Sequence, residues 1–108
     1  METSGQTVIK LWLDDVRTPP DESWTWVKTY DEVLEYITKN VVSEISFDHD
    51  LGTKQTGYDV AKAIEHYAYY DIVSCMVWHI HSTNPVGRRN IEQAMKSADR
   101  FWLNREDK

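Results

Sequence analysis

The chain has one cysteine, Cys75, among its 108 residues, so it can build neither an intramolecular disulfide nor a cysteine-based zinc site. It has no apolar run near the ~20 residues that span a bilayer. The opening METSGQTVIK lacks the basic start and apolar segment of a signal peptide, so a cytoplasmic location and no membrane partner are expected. Positive charge is scarce: 12 Lys and Arg against 18 Asp and Glu leave a formal net charge of -6. Binding along a nucleic-acid backbone draws its affinity from Lys and Arg, so extended DNA binding is excluded while a single phosphate in a local pocket is not. Repeats, low-complexity tracts and linkers are also missing. The nearest approach to a break is Thr18-Pro19-Pro20-Asp21, where two prolines forbid regular helix. One domain over residues 1–108 is therefore expected.

What the chain does have is aromatic bulk, with five Trp and six Tyr, and a clear alternation of strand and helix signals. Val8 to Leu13 reads as a buried strand that stops at the acidic pair Asp14-Asp15, and Trp24 to Lys28 as a second whose alternating tryptophans suit an edge. Thr29 with Glu32 makes a capping box for a helix through about Asn40. Glu44 to Phe47 is the third strand. Thr56 and Asp59 cap a helix with Val60, Ala61, Ala63, Ile64, Tyr67 and Ala68 on its apolar face. Met76 to Ile80 is the fourth strand. Asn84 as N-cap and Pro85 at the first position open a last helix with the buried stripe Ile91, Ala94, Met95, Ala98 and Trp102, while Asp99 to Lys108 reads as a solvated tail. The pattern predicts an α/β fold: a short, mostly parallel sheet of about four strands with helices packed on its faces. The path from Leu13 to Trp24, too short and proline-rich for a full helix, stays open at this point.

In an open parallel sheet, ligands bind outside the carboxyl ends of the strands, and the unusual polar residues of this chain fall there. Strand one ends in Asp14-Asp15-Val16-Arg17, strand three in Asp48-His49-Asp50-Leu51-Gly52, and strand four runs His79-Ile80-His81-Ser82. Asp residues often do no more than stop a strand. Several gathered in one place repel, however, and Mg²⁺ or another divalent cation, a raised pKa or nearby Arg17 must offset the cost. Asp14, Asp15 and Asp48 are therefore the candidate metal ligands, and no organic cofactor is expected. His49, His81, Ser82 and Asp50 form the candidate catalytic set, since imidazole flanked by carboxylate is suited to moving protons near neutral pH. His79, inside the strand, is the weaker histidine. Arg17, Asn84, Gly87 and Arg88 are the candidate phosphate-binding residues, the last three at the start of a helix whose N–H groups favour an anion.

The stretches LWLDDVRTPP, ISFDHDLG, TGYDV and HSTNPVGRRNIE resemble the cyclic-phosphate-processing receiver domain family, over nearly the whole chain. The resemblance implies a receiver-like, flavodoxin-like three-layer sandwich and a role in processing cyclic phosphate ends of RNA. Response-regulator receivers place an acidic pair after strand one, a phosphorylatable Asp after strand three and Ser or Thr after strand four. By position these correspond to Asp14 with Asp15, Asp48, and Ser82. No fifth strand is predicted here, and so no Lys at its end, which argues against phosphotransfer signalling.

Three functions follow as expectations. The first is a phosphoesterase acting on a cyclic phosphate of an RNA end or a small cyclic nucleotide, with His49 and His81 as general acid and base. The second is a host- or phage-encoded protein that sequesters such a nucleotide without cleaving it. The third is a degenerate receiver used as an interaction module.

Overall fold

β-Branched and large apolar residues in the first apolar run favour an extended chain, and in the computed structural model, which describes residues 8–106, Ile9–Leu13 forms strand β1. β2 is Trp24–Val27, β3 is Val42–Phe47 and β4 is Val77–Ile80, with helices α1 (Tyr30–Thr38), α2 (Gly57–Tyr69) and α3 (Pro85–Glu106) between and after them. The strands lie in the order β2-β1-β3-β4, and every pairing is parallel. This is the receiver-like α/β architecture the sequence predicts. β3 begins two residues before the predicted Glu44 because Val42 pairs with Ile9 across a local register shift. The open path from Leu13 to Trp24 resolves as a bare crossover: residues 14–23 contain no helix, yet β2 still pairs parallel to β1 at the sheet edge.

The helices start where side chains satisfy their first N–H groups. Thr29 and Glu32 form a reciprocal capping box on α1, and Thr56 and Asp59 form one on α2. At α3 the Asn84 Oδ1 accepts from Gly87 N at 3.0 Å, with Pro85 at the first helical position. Each such cap stabilises its helix by about 1 kcal/mol.

Strand alternation decides what each face of the sheet carries. Leu11, Leu13, Val27, Ile45 and Phe47 share one face, and they join Val33 and Ile37 of α1, Val60 and Ile64 of α2, and Ile91 and Met95 of α3 in one core. All three helices thus cover the same face. A full three-layer sandwich has helices on both sides; here, among the described residues, none covers the second side. The reason is the bare crossover, since Pro19 and Pro20 occupy the connection in which a covering helix would form. That second face carries Trp24 and Trp26 of β2, Lys10 and Trp12 of β1, Glu44 and Ser46 of β3, and Val77 and His79 of β4.

The predicted solvated tail is instead structural through Glu106. α3 continues past Asp99, whose carboxylate accepts from Trp78 Nε1 at 2.9 Å. Trp102 is buried and donates to the Val73 carbonyl at 3.0 Å. Arg105 donates to the carbonyls of Ala68 and Tyr69 at the end of α2, satisfying groups the helix leaves free. Residues 107 and 108 lie outside the described residues. The core makes a direct prediction. Phe47→Ala removes a fully buried ring from the core and should lower unfolding free energy by about 3–5 kcal/mol, whereas Val77→Ala on the open face should change it by less than about 0.5 kcal/mol. Urea denaturation midpoints check both.

Candidate active site at the strand ends

Each strand facing the open side delivers a polar residue one step beyond its last open-face side chain. Asp14 follows Trp12, Asp48 follows Ser46 and His81 follows His79, so the three lie side by side at the carboxyl ends of β1, β3 and β4. Backbone bonds from Asp14 N to Val27 O, Asp48 N to Leu13 O and His81 N to Phe47 O continue the ladder to this row. The loops predicted to converge therefore do so.

Asp14 is the centre of the site. It is 1% exposed, and its Oδ1 accepts from the backbone N–H groups of Val16 at 2.9 Å and Arg17 at 2.7 Å. Its Oδ2 lies 3.0 Å from His81 Nε2. Burial opposes its charge, but the Arg17 and Val16 N–H groups and His81 outweigh that, and the carboxyl is held below the usual Asp range. The other nitrogen of His81, Nδ1, lies 2.8 Å from the Ser46 hydroxyl. Burial holds the His81 pKa below the ordinary 6.5 despite the pull of Asp14. A neutral ring that donates from Nε2 to Asp14 and accepts at Nδ1 from Ser46 satisfies all three groups at once. Trp12 fixes the plane of the ring: its indole stacks on His81 at 3.8 Å between centroids and 4° between planes, and donates from Nε1 to the Arg17 carbonyl at 2.8 Å.

Asp14, Asp15 and Asp48 each offer a carboxylate oxygen within 4.8 Å of the others. Burial first, and then repulsion from Asp14, raise the pKa of Asp48. All three donors are hard oxygens, the type Mg²⁺ takes. Gly52, at φ +68°, leaves the room that Asp15 needs, since a Cβ there would sit 3.1 Å from Asp15 Oδ2. The donor set therefore fits a divalent cation.

The remaining predicted residues are placed less uniformly. Arg17 reaches the His81 carbonyl through Nη1 at 2.9 Å and is exposed. Arg88 Nη1 donates to the carbonyls of Ile80 and Ser82 at 3.1 and 3.0 Å, bracing the loop after β4. Ser82 is buried, and its hydroxyl accepts from Asn84 N at 3.1 Å. Asn84 Nδ2 contacts Asp50 Oδ2 at 3.4 Å, joining the loops after β3 and β4, while its Oδ1 already serves as helix cap. Gly87 is where the chain could least bear a side chain: an added Cβ would fall 2.3 Å from His49 Cγ. His49 thus packs against the start of α3, with its Nδ1 buried and unpartnered. The two histidines face different neighbours, His81 toward Asp14 and Ser46, His49 toward Gly87. His79, fully on the open face, pairs with Glu44 at 2.6 Å.

Sequence reasoning missed Ser46 and Trp12 as site residues. Their signal was positional, because each stands two residues before an acid of the row and so on the same face. A concavity of about 470 Å³, bordered by Tyr30, Gln55, Asp59, Lys62 and His66, shares no residue with this row. Donor chemistry, not depth, marks the site. No helix among the described residues is long and apolar enough to cross a membrane.

The His81 environment sets a pH dependence. Its folded pKa lies below 6.5, so as pH falls through 6.5 the unfolded chain takes up a proton that the folded chain resists, and stability declines. The contribution is complete above that value. Urea unfolding at pH 7.5 and at pH 5.5 should show lower stability at the acid pH, and His81→Gln should flatten the difference; an unchanged slope in the variant assigns the effect elsewhere.

Among the curated proteins and the solved structures compared with the chain, none matches it. A family model described as the cyclic-phosphate processing receiver domain matches residues 9–97, from the start of β1 to the middle of α3, and so takes in every residue of the strand-end row. With that match spanning the whole sheet and its polar edge, the chain belongs to the cyclic-phosphate processing receiver domain family.

Proposed function

We propose that the chain is a metal-assisted phosphoesterase that opens a cyclic phosphate, carried on an RNA end or a small cyclic nucleotide. The observation that carries this reading is the carboxylate trio Asp14, Asp15 and Asp48 set beside a fixed neutral histidine and an exposed arginine. Family membership supports the reaction class. Asp14, Asp15 and Asp48 would hold Mg²⁺ or a similar cation, which supplies positive charge for the phosphate and a more acidic water.

The reaction adds water to phosphorus and breaks one ribose–oxygen–phosphorus ester bond, giving a phosphomonoester and a free hydroxyl. One proton must leave the water and one must reach the departing oxygen. His49, whose Nδ1 is buried, would give a proton from Nε2 to the departing oxygen, while the proton lost by the attacking water passes to solvent. Arg17 offers its guanidinium to the phosphoryl oxygens, where charge grows in the transition state. His81 is a positioning residue: locked between Asp14 and Ser46, it keeps the Asp14 carboxylate ionised and aimed.

A second reading, capture without cleavage, draws support from how many polar groups are already engaged internally. Both His81 nitrogens and Arg88 Nη1 have partners within the chain. Incubation with 2′,3′-cyclic mononucleotides and with RNA bearing a cyclic end separates the two. Turnover should require a divalent cation and should fall about 100-fold or more in Asp48→Asn and in His49→Ala. Calorimetric binding with ligand recovered unchanged supports capture, and neither turnover nor binding by folded protein with any divalent cation overturns both readings.

A further inference from the structure

Apart from Trp12 and Ser46, which hold His81, the open face of the sheet has no role in the chemistry above, yet it leads directly to it. Successive side chains on one face of a strand stand about 7 Å apart. One such step before the acidic row come Trp26, Trp12, Ser46 and His79, and one step earlier Trp24, Lys10, Glu44 and Val77. Trp12 is spent, being 8% exposed and stacked on His81. Trp24 and Trp26, on the edge strand, are only partly buried. They lie on no helix-covered surface and belong to no core cluster.

Their surroundings are specific. Trp26 donates through Nε1 to the Asp14 carbonyl at 2.7 Å, which seats its ring at the border of the acidic row. Lys28 Nζ lies 4.5 Å from the centroid of Trp26, and Lys10 Nζ lies 4.5 Å from that of Trp24. In a protein carrying a net charge of -6, two lysines are thus drawn over two neighbouring indoles beside the site. Glu44, the acid of this face, is paired with His79. An aromatic surface for bases with an ammonium group at each ring for the phosphates between them is the pattern that holds single-stranded nucleic acid.

We propose that Trp24 and Trp26, with Lys10 and Lys28, form a stacking track for single-stranded RNA that delivers its 3′ end to the acidic row. The proposal rests on the reading of that row as a site for a terminal phosphate, and it narrows the substrate from a free cyclic mononucleotide to an RNA end. The nucleotides preceding the terminal phosphate stack on Trp26 and then Trp24. Stacking accepts any base, so recognition is tolerant of sequence.

The test uses a 5′-fluorescein hexaribonucleotide in two forms, one ending in a 2′,3′-cyclic phosphate and one in a plain 3′ hydroxyl, with binding followed by anisotropy. Both forms should bind, and Trp24→Ala and Trp26→Ala should each weaken binding on the order of tenfold. Lys10→Gln and Lys28→Gln should each make binding measurably less dependent on salt. Trp24→Ala should leave turnover of a cyclic mononucleotide unchanged while raising KM for the cyclic-ended RNA. Photocrosslinking of wild-type protein to a 5-iodouridine-substituted strand should place adducts on Trp24 or Trp26, which keeps the test informative if a variant fails to fold. Plain-ended RNA that binds through the tryptophans without any turnover sustains the track while removing the phosphoesterase reading. Turnover of mononucleotides with no RNA binding, crosslinks located elsewhere, RNA affinity unchanged in both tryptophan variants, or tryptophan-dependent self-association in place of RNA binding each overturns the track.

Discussion

The chain of hydrogen bonds from Ser46 through His81 to Asp14 joins side chains delivered by three strands, and the geometry of the site depends on it. Asp14 belongs to the end of β1, Ser46 to β3 and His81 to the residue after β4. An ionised carboxylate this deeply buried would be costly without donors. Two backbone N–H groups and one imidazole supply them. The two backbone donors, Val16 N and Arg17 N, fix the turn after Asp14, from which Asp15 and Arg17 extend. Trp12 closes the arrangement from below, holding the imidazole by stacking and the turn by its bond to the Arg17 carbonyl.

This polar chain is possible because the sheet is covered on one side only. Were a helix packed over Trp12, Ser46 and His79, the face leading to the acidic row would be dry and closed. The prolines at 19 and 20 prevent that helix, and the connection that replaces it returns from the end of β1 to the start of β2, its first residues becoming part of the site. Helical cover on the other face is correspondingly dense: the long α3 packs along α2, and its last turns are secured by Trp102 and Arg105. Rigidity comes from one face and access from the other.

Much of the fold was legible in the sequence because its signals were local. Thr29 with Glu32, Thr56 with Asp59, and Asn84 with Pro85 each announced a helix start, and the acidic and histidine residues ending the strands marked the edge where ligands bind. Partnerships were not legible. Nothing in the string says that Ser46 meets His81, that Trp26 reaches the Asp14 carbonyl, or that His49 packs on Gly87, because these contacts depend on strand order and register. The one-sided layering was hidden for a related reason: it follows from a helix that is missing, and the length of residues 14–23 alone did not say which way the connection runs. The tail from Asp99 was misread because its charged residues also serve as hydrogen-bond partners for other elements, Asp99 for Trp78 of β4 and Arg105 for the end of α2.

The sheet has two edges, β2 and β4, and each is four residues long. Four residues extend only about 13 Å, too short a row of unpaired backbone groups to template a lasting β-ladder with another chain. Brevity at both margins therefore protects a molecule that leaves one side of its sheet bare from growing, edge upon edge, into fibrous aggregates.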